Sequence, residues 1–447
     1  MSIAVVILAA GKGTRMVSDL PKALHKVAHA PLLEHTMRAA AILEPEKTVV
    51  IVGYEGERVA LEAQRINDGA FIAEQKEQLG TAHAVSMAKD TLSGFKGDIL
   101  VLYADTPFIS AETMEKIRDA RAISDLVVLG FKAEDPARYG RLITNGDQLE
   151  RIVEFKDASE EERAITLCNS GVMAASAQLL LSLIEEVDNE NASGEYYLTD
   201  CVALANATGK TTKVVICEEK ETLGVNSRQD LAKAESAFQK RARREHMQNG
   251  VSLLAPETVF FSFDTVIGRD SVVEQHVVFG PEATIESAAH IKAFCHIEGA
   301  HVSEGAIVGP FARLRRGAEL GEQVRVGNFV EIKNAVIGDE AKINHLSYIG
   351  DAEVGASANI GAGSITCNYD GVMKHRTTIA EGAFIGSNTM LVAPVNIGKE
   401  AMTASGSVIT KDIPEGALAV ARASQETKLG MARKLMDIFK KRKQKKV

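Results

Sequence analysis

From residue 267 onward an aliphatic residue returns every six positions, and no other feature restricts the fold of this chain so tightly. Ile267, Val273, Phe279, Ile285, Ile291 and Ile297 open the series. After a five-residue step it resumes at Val302, Val308, Leu314, Leu320, Val326 and Ile332. It continues at Ile337, Ile343 and Ile349, then Val354 and Ile360, and returns at Ile379, Ile385, Leu391, Ile397 and Thr403. The fourth residue after nearly every one is small or compact, as at Ser271, Ala283, Ala312, Val330, Ala358 and Ala401, and glycine often follows directly, as at Gly268, Gly309 and Gly386. A period of six matches neither the 3.6-residue helix nor an alternating strand. It describes a prism in which three hexapeptides complete one coil, aliphatic residues stack inside, and small residues or glycine turn the corners. Such hexapeptide coils are expected to wind left-handed, against the usual crossover preference.

The first half obeys a different rule. Short apolar runs at 3–10, 48–52, 98–103 and 126–131 alternate with helical patterns at 32–43, 81–88 and 111–122. Runs that are apolar on both faces, separated by helices, imply βαβ units and a mostly parallel sheet covered on both sides. Residues 227–248 form a charged, Ala-rich stretch without Gly or Pro, which reads as a connecting helix stopped by Asn249-Gly250. The expected organisation is a Rossmann-like α/β domain over 1–228, a linker helix over 229–249, and a left-handed parallel β-helix with a C-terminal tail over 250–447.

The net charge of −9 argues against a general nucleic-acid binder. The one basic run, 440–446, reads as a solvated tail. The apolar start lacks a basic leader and runs directly into Gly11-Lys12-Gly13, so it reads as a buried strand, and no apolar stretch has membrane-spanning length. Cys168, Cys201, Cys217, Cys295 and Cys367 form no CxxC pair, which suits reduced thiols in a cytoplasm.

Leu8-Ala9-Ala10-Gly11-Lys12-Gly13-Thr14-Arg15-Met16 follows the first strand, with Pro21-Lys22 close behind. Glycines expose backbone N–H groups to phosphate oxygens, and Arg15 and Lys22 can neutralise a leaving pyrophosphate. The run resembles the signature of sugar-phosphate nucleotidyltransferases rather than a dinucleotide-binding or Walker loop. Tyr103-Ala104-Asp105 ends the strand at 98–103, where an α/β sheet binds ligands, and Asp105 is placed to hold Mg²⁺ against phosphates. Taken alone, Asp105 also suits a turn or helix cap before Pro107. The same resemblance assigns Asn226 as a second metal ligand, and Gln75 with the run Gln78-Leu79-Gly80-Thr81-Ala82-His83-Ala84 as the uracil-reading loop of UTP-using members. It also assigns Gly140, Glu154, Asn169 and the 195–200 run to sugar binding.

In the coil, cations replace the expected glycine at Arg315 and Lys333, eighteen residues or one coil apart. Like charges stacked at about strand spacing suit a phosphate clamp; the other reading is a solvated pair, or one neutralised by Glu331. His345 lies outward on its repeat, with Tyr348 and Asn359 following, and an imidazole there can deprotonate an amine. Between Ile360 and Ile379 the repeat is interrupted by Thr366-Cys367-Asn368-Tyr369-Asp370-Gly371 and by Lys374. Solenoids place insertions where they bind.

With these residues in place, the whole chain resembles the bacterial bifunctional N-acetylglucosamine-1-phosphate uridyltransferase / glucosamine-1-phosphate N-acetyltransferase family. The resemblance implies that His345 is the base of acetyl transfer and that Arg315, Lys333, Tyr348, Asn359 and Lys374 hold the amino-sugar phosphate. It implies that Ala362, Asn368, Tyr369, Ser387, Ser405 and Arg422 contact acetyl-CoA, that UTP and acetyl-CoA are co-substrates with Mg²⁺, and that the protein is a homotrimer. Leu8, Ala9, Ala10, Gly11, Lys22 and Tyr103 fall in its uridine nucleotide site. Two alternatives remain at this stage: a nucleotidyltransferase whose coil serves only assembly, and a purely structural solenoid, which would favour regular Thr ladders that this coil lacks.

Overall fold

The computed structural model describes residues 2–445 and divides into two compact units between Ala242 and Arg243. The division falls inside the helix Arg228–Gln248.

The first unit is built on a nine-stranded sheet in the order Phe71–Glu74, Lys47–Val52, Ile3–Leu8, Asp98–Tyr103, Leu167–Ser176, Leu126–Lys132, Thr212–Cys217, Gln148–Val153, Arg141–Asn145. The first four run parallel. Residues of Ile3–Leu8 alternate between two cores: Ala4 and Val6 pack in one, Ile3, Val5 and Ile7 in the other. That double burial is why the strand reads as an unbroken apolar run. Leu167–Ser176 runs antiparallel to both its neighbours and had no counterpart in the sequence reading. Its pattern is broken by a register shift between Asn169 and Met173 and by Gly171 at φ +91°. A Cβ at Gly171 would lie 2.7 Å from the Tyr103 ring, so only glycine lets the strand pass that ring.

Helix Arg228–Gln248 buries Ala234, Phe238, Gln239 and Ala242. Within the first unit, Phe238 meets the His35 ring edge-on with centroids 5.7 Å apart. Within the second, Arg243 Nε donates to the Val259 carbonyl at 2.9 Å.

The second unit is a coil of short parallel strands in three stacked columns. One column runs from Ser252–Leu253 through Arg325–Asn328, Lys342–His345 and Asn359–Ile360 to Leu418–Ala419. The hexapeptide aliphatics fall in register, as in Leu314 with Ile332 and Ile332 with Ile349, and all three are buried. Two of the five-residue steps have a structural cause. Strands Glu331–Ile337 and Tyr348–Val354 run straight through a corner, which removes one residue from each of those coils.

The corners are not all turned by small residues. Phe294, Phe311, Phe329 and Leu346 adopt φ between 53° and 61°, the left-handed conformation that normally favours glycine. Phe294 stacks on Phe311 with centroids 4.8 Å apart, and Phe311 on Phe329 at 5.2 Å. Stacking and stem packing offset the backbone cost. The ladder is half exposed to solvent.

The basic C-terminal run lies largely on an exposed helix, Met431–Gln444; Lys446 is outside the described residues. No helix among the described residues is long and apolar enough to cross a membrane.

Candidate active sites

In the first unit the register fixes the site. Leu8 pairs with Tyr103 across adjacent parallel strands, so the segments that follow both leave the sheet at one edge. There they line a cavity of about 300 Å³ with Leu8, Ala9, Ala10, Gly11, Lys22, Gln75, Gly80, Thr81, Tyr103 and Asp105. Lys22 Nζ contacts the Asp105 carboxylate and donates to Asn226 Oδ1 at 2.7 Å, and Arg15 Nη2 donates to the same oxygen at 2.9 Å. Two hard oxygen donors therefore converge on one positive point. That donor set fits Mg²⁺, which takes few protein ligands and fills its remaining sites from water and phosphate. No cluster of three or more His, Cys, Asp or Glu capable of holding a metal exists among the described residues.

Gly140, Glu154 and Asn169 do not line that cavity but form a second group. Asn169 N–H donates to the Gly140 carbonyl at 2.9 Å, and Thr199 Oγ1 donates to Glu154 at 3.4 Å. Burial holds the Glu154 carboxyl above its usual range, against the Thr199 hydrogen bond and with nearby Asp200, Asp157 and Glu195 adding to the rise. Tyr103 joins the groups: its ring lies against Gly171, two residues from Asn169, and its hydroxyl bonds Thr81. Burial and then the charges of Asp105 and Glu154 push the phenol far above its ordinary value, so it stays a donor.

In the second unit, Asn328 and His345 are register partners, and His345 Nδ1 lies 2.8 Å from Asn328 Oδ1. An amide oxygen only accepts, so Nδ1 carries the proton and Nε2 keeps its lone pair. The sequence scattered His345, Ser387 and Arg422 over the coil; the structure gathers them along one corner. Gly363 N–H donates to His345 O, Asn388 N–H to Ala362 O, Gly406 N–H to Ser387 O, and Arg422 Nη1 to Ser405 O. His345, Ala362, Ser387 and Ser405 thus occupy equivalent positions on successive coils. At this corner the bulky ladder of Phe311, Phe329 and Leu346 gives way to Gly363, Asn388 and Gly406.

Across the corner, Tyr348 pairs with Glu331, and Lys333 with Gly350. Arg315 Nη1 bonds Glu331 at 2.8 Å, so the upper cation of this column is paired with a carboxylate. The second lysine of the cluster is Lys374, delivered by the 360–379 interruption. Its hydrogen-bond contact with Lys333, followed by the Lys333 charge, lowers its pKa. Asp351 feels the charge of both lysines and accepts from Asn334 at 2.5 Å and from Asn368. Burial alone would raise its pKa; the Asn334 and Asn368 hydrogen bonds and the two lysines bring it below the usual value. Asn359 pairs with Lys342 and Phe384 on the His345 side of the corner, and Tyr369 is exposed on the insertion with its hydroxyl donating to Gly371 O at 2.6 Å.

The chain is 63% identical over 443 residues to the bifunctional protein GlmU of Ruegeria sp. (strain TM1040), covering 99% of both chains. It belongs to the GlmU family. The bifunctional protein GlmU of Ruegeria pomeroyi is 61% identical, covering 99% of this chain and 98% of that one. That of Jannaschia sp. (strain CCS1) is 57% identical, covering 97% and 95%. The MobA-like NTP transferase domain family matches residues 5–190. A solved UDP-glucose pyrophosphorylase complexed with UDP-glucose covers 54% of this chain and all of its own, at 16% identity and a TM-score of 0.42.

Within this GlmU-family chain, sequence reasoning passed over Asn328 and Asp351, and took Gln78 and His83 only as members of a run without separate roles. Gln78 Nε2 donates to the Ala10 carbonyl at 2.6 Å and so ties the base loop to the glycine loop. Asn328 precedes His345 by seventeen residues rather than eighteen, because of the shortened coil. A search at seventeen as well as eighteen would have found it.

Proposed function

We propose that the chain makes UDP-N-acetylglucosamine in two reactions at two separate sites. The coil acetylates glucosamine-1-phosphate from acetyl-CoA, and the α/β unit then transfers uridylyl from UTP to the N-acetylated product, releasing pyrophosphate.

In the first reaction the sugar 2-amino nitrogen attacks the thioester carbonyl. His345 Nε2 accepts the amine proton as the C–N bond forms, and the C–S bond breaks to release coenzyme A as its thiol. Asn328 keeps the imidazole in the required tautomer. Lys333 and Lys374 hold the sugar phosphate with Arg315, Tyr348 and Asn359, and the repulsion between the two lysines is relieved when an anion lies between them. Ala362, Asn368, Tyr369, Ser387, Ser405 and Arg422 receive acetyl-CoA along the corner.

In the second reaction a phosphate oxygen of the sugar attacks the α-phosphorus of UTP in line, and the bond to pyrophosphate breaks. Arg15 and Lys22 neutralise the developing charge. Asp105 and Asn226 would hold Mg²⁺, which when bound supplies further neutralisation at the phosphates. Gly140, Glu154 and Asn169 orient the sugar, and Gln75, Gly80 and Thr81 the uracil.

The observation that favours two activities over a passive coil is the alignment of Asn328, His345, Ala362, Ser387 and Ser405 on one corner. A scaffold needs no imidazole with a fixed tautomer there. The half-exposed Phe294, Phe311 and Phe329 ladder on that corner supports a homotrimer whose acetyl-transfer sites lie between subunits. Five free cysteines suit a cytoplasmic protein.

The test is separability. His345→Ala should lower acetyl transfer by about a hundredfold or more and leave uridylyl transfer intact, whereas Asp105→Ala should do the reverse. Loss of both activities in either folded variant would contradict two independent sites.

A further inference from the structure

Gln75 is buried beneath the nucleotide cavity, 4% exposed, and its amide is held on two sides. Nε2 donates to the Gly80 carbonyl at 3.0 Å and lies 3.1 Å from His83 Nδ1. A carbonyl cannot donate, so the atom facing Gly80 is the NH₂, and its second proton is directed at His83. Both amide protons are then consumed within the protein. Oε1 has no hydrogen-bond partner among the described residues, and neither has the Gly80 N–H.

We infer that His83 is a specificity-positioning residue, locking the Gln75 amide so that it offers an acceptor and not a donor to the base. This rests on reading the cavity as the UTP site. With Oε1 accepting and Gly80 N–H donating, the protein presents an acceptor beside a donor. Uracil answers with its N3–H donor and O4 acceptor. Cytosine offers the inverse, an unprotonated N3 and an amino donor, and would leave both protein groups facing their own kind. Rotating the amide would suit cytosine, but Oε1 would then face the Gly80 carbonyl, and the NH₂ would lose its bond to His83.

His83 sits on helix Thr81–Ser86 and lines not the nucleotide cavity but a separate one of about 370 Å³, with Ser86, Lys89, Glu185 and Tyr196. The imidazole therefore acts on the nucleotide only through Gln75. In an asparagine at this position Oδ1 falls where Nδ1 stood and can still accept, whereas leucine fills the space without an acceptor.

The experiment compares kcat/KM for UTP and for CTP in the full chain, His83→Leu and His83→Asn, with circular dichroism and thermal melting of the same preparations reporting on folding. His83→Leu should narrow the UTP-over-CTP preference about tenfold, chiefly through KM for UTP, while His83→Asn keeps it. A His83→Leu enzyme with the original preference, or a His83→Asn enzyme as unselective as His83→Leu, would overturn the assignment. Should His83→Leu not fold, His83→Ala is read in the same way. An unmodified chain with no preference for UTP over CTP would instead overturn the UTP reading beneath it.

Discussion

Lys22 Nζ donates to Asn226 Oδ1 at 2.7 Å although 204 residues separate them, and Arg15 binds that same oxygen at 2.9 Å. One amide oxygen thus fixes Arg15 and Lys22 beside Asp105. Asn226→Ala should free both side chains and lower uridylyl-transfer kcat about tenfold to a hundredfold. The same variant should raise the Mg²⁺ concentration needed for half-maximal rate, with acetyl transfer unaffected. Steady-state assays over a Mg²⁺ titration check this; an unchanged rate at low Mg²⁺ would remove Asn226 from the metal site.

The proposed trimer rests on the stacked corner phenylalanines. Phe311→Asp places a charge in the middle of the ladder, between Phe294 and Phe329. Sedimentation should find dissociated subunits, with acetyl transfer lost and uridylyl transfer retained. A variant that stays trimeric and acetylates normally would move the interface elsewhere on the coil.

Asp200 gives the first unit a pH-dependent stability. Its pKa is pushed up to about 6 by burial, then by the charges of Asp188 and Asp157. The unfolded chain releases this proton near the ordinary carboxylate value, so between about pH 4 and 6 the native state binds more protons. This contribution to stability is present at low pH and is lost as pH rises through the folded value. Asp200→Asn removes the ionisation. Relative to the unmodified chain, its melting temperature should rise as pH goes from about 4 to 7, and a difference independent of pH would contradict the assignment.

Much of this molecule was legible because its two halves obey strict periodicities. One inward residue in six fixes the coil, and apolar strands buried on both faces fix the sheet and its ligand-bearing edge. What escaped was set by geometry between distant residues. The antiparallel strand Leu167–Ser176 hides behind Gly171, whose reason is the Tyr103 ring. The bulky corners at Phe294, Phe311 and Phe329 violate the small-residue rule individually and are tolerated only as a stack. The Arg315–Glu331 pair was visible as an option but not decidable from spacing, since side-chain direction decides whether the guanidinium reaches the carboxylate. Asn328 lay at an offset that changes when a strand crosses a corner without turning.

The most direct test of the two-site account is product identification from one reaction. The full chain is incubated with glucosamine-1-phosphate, acetyl-CoA, UTP and Mg²⁺, omitting one component at a time, and the sugar products are identified by mass. The account predicts UDP-N-acetylglucosamine in the complete mixture, N-acetylglucosamine-1-phosphate alone when UTP is withheld, and neither product when acetyl-CoA is withheld. Uridylyl transfer to supplied N-acetylglucosamine-1-phosphate, with no acetylation of glucosamine-1-phosphate under any condition, would contradict it and leave the coil without chemistry.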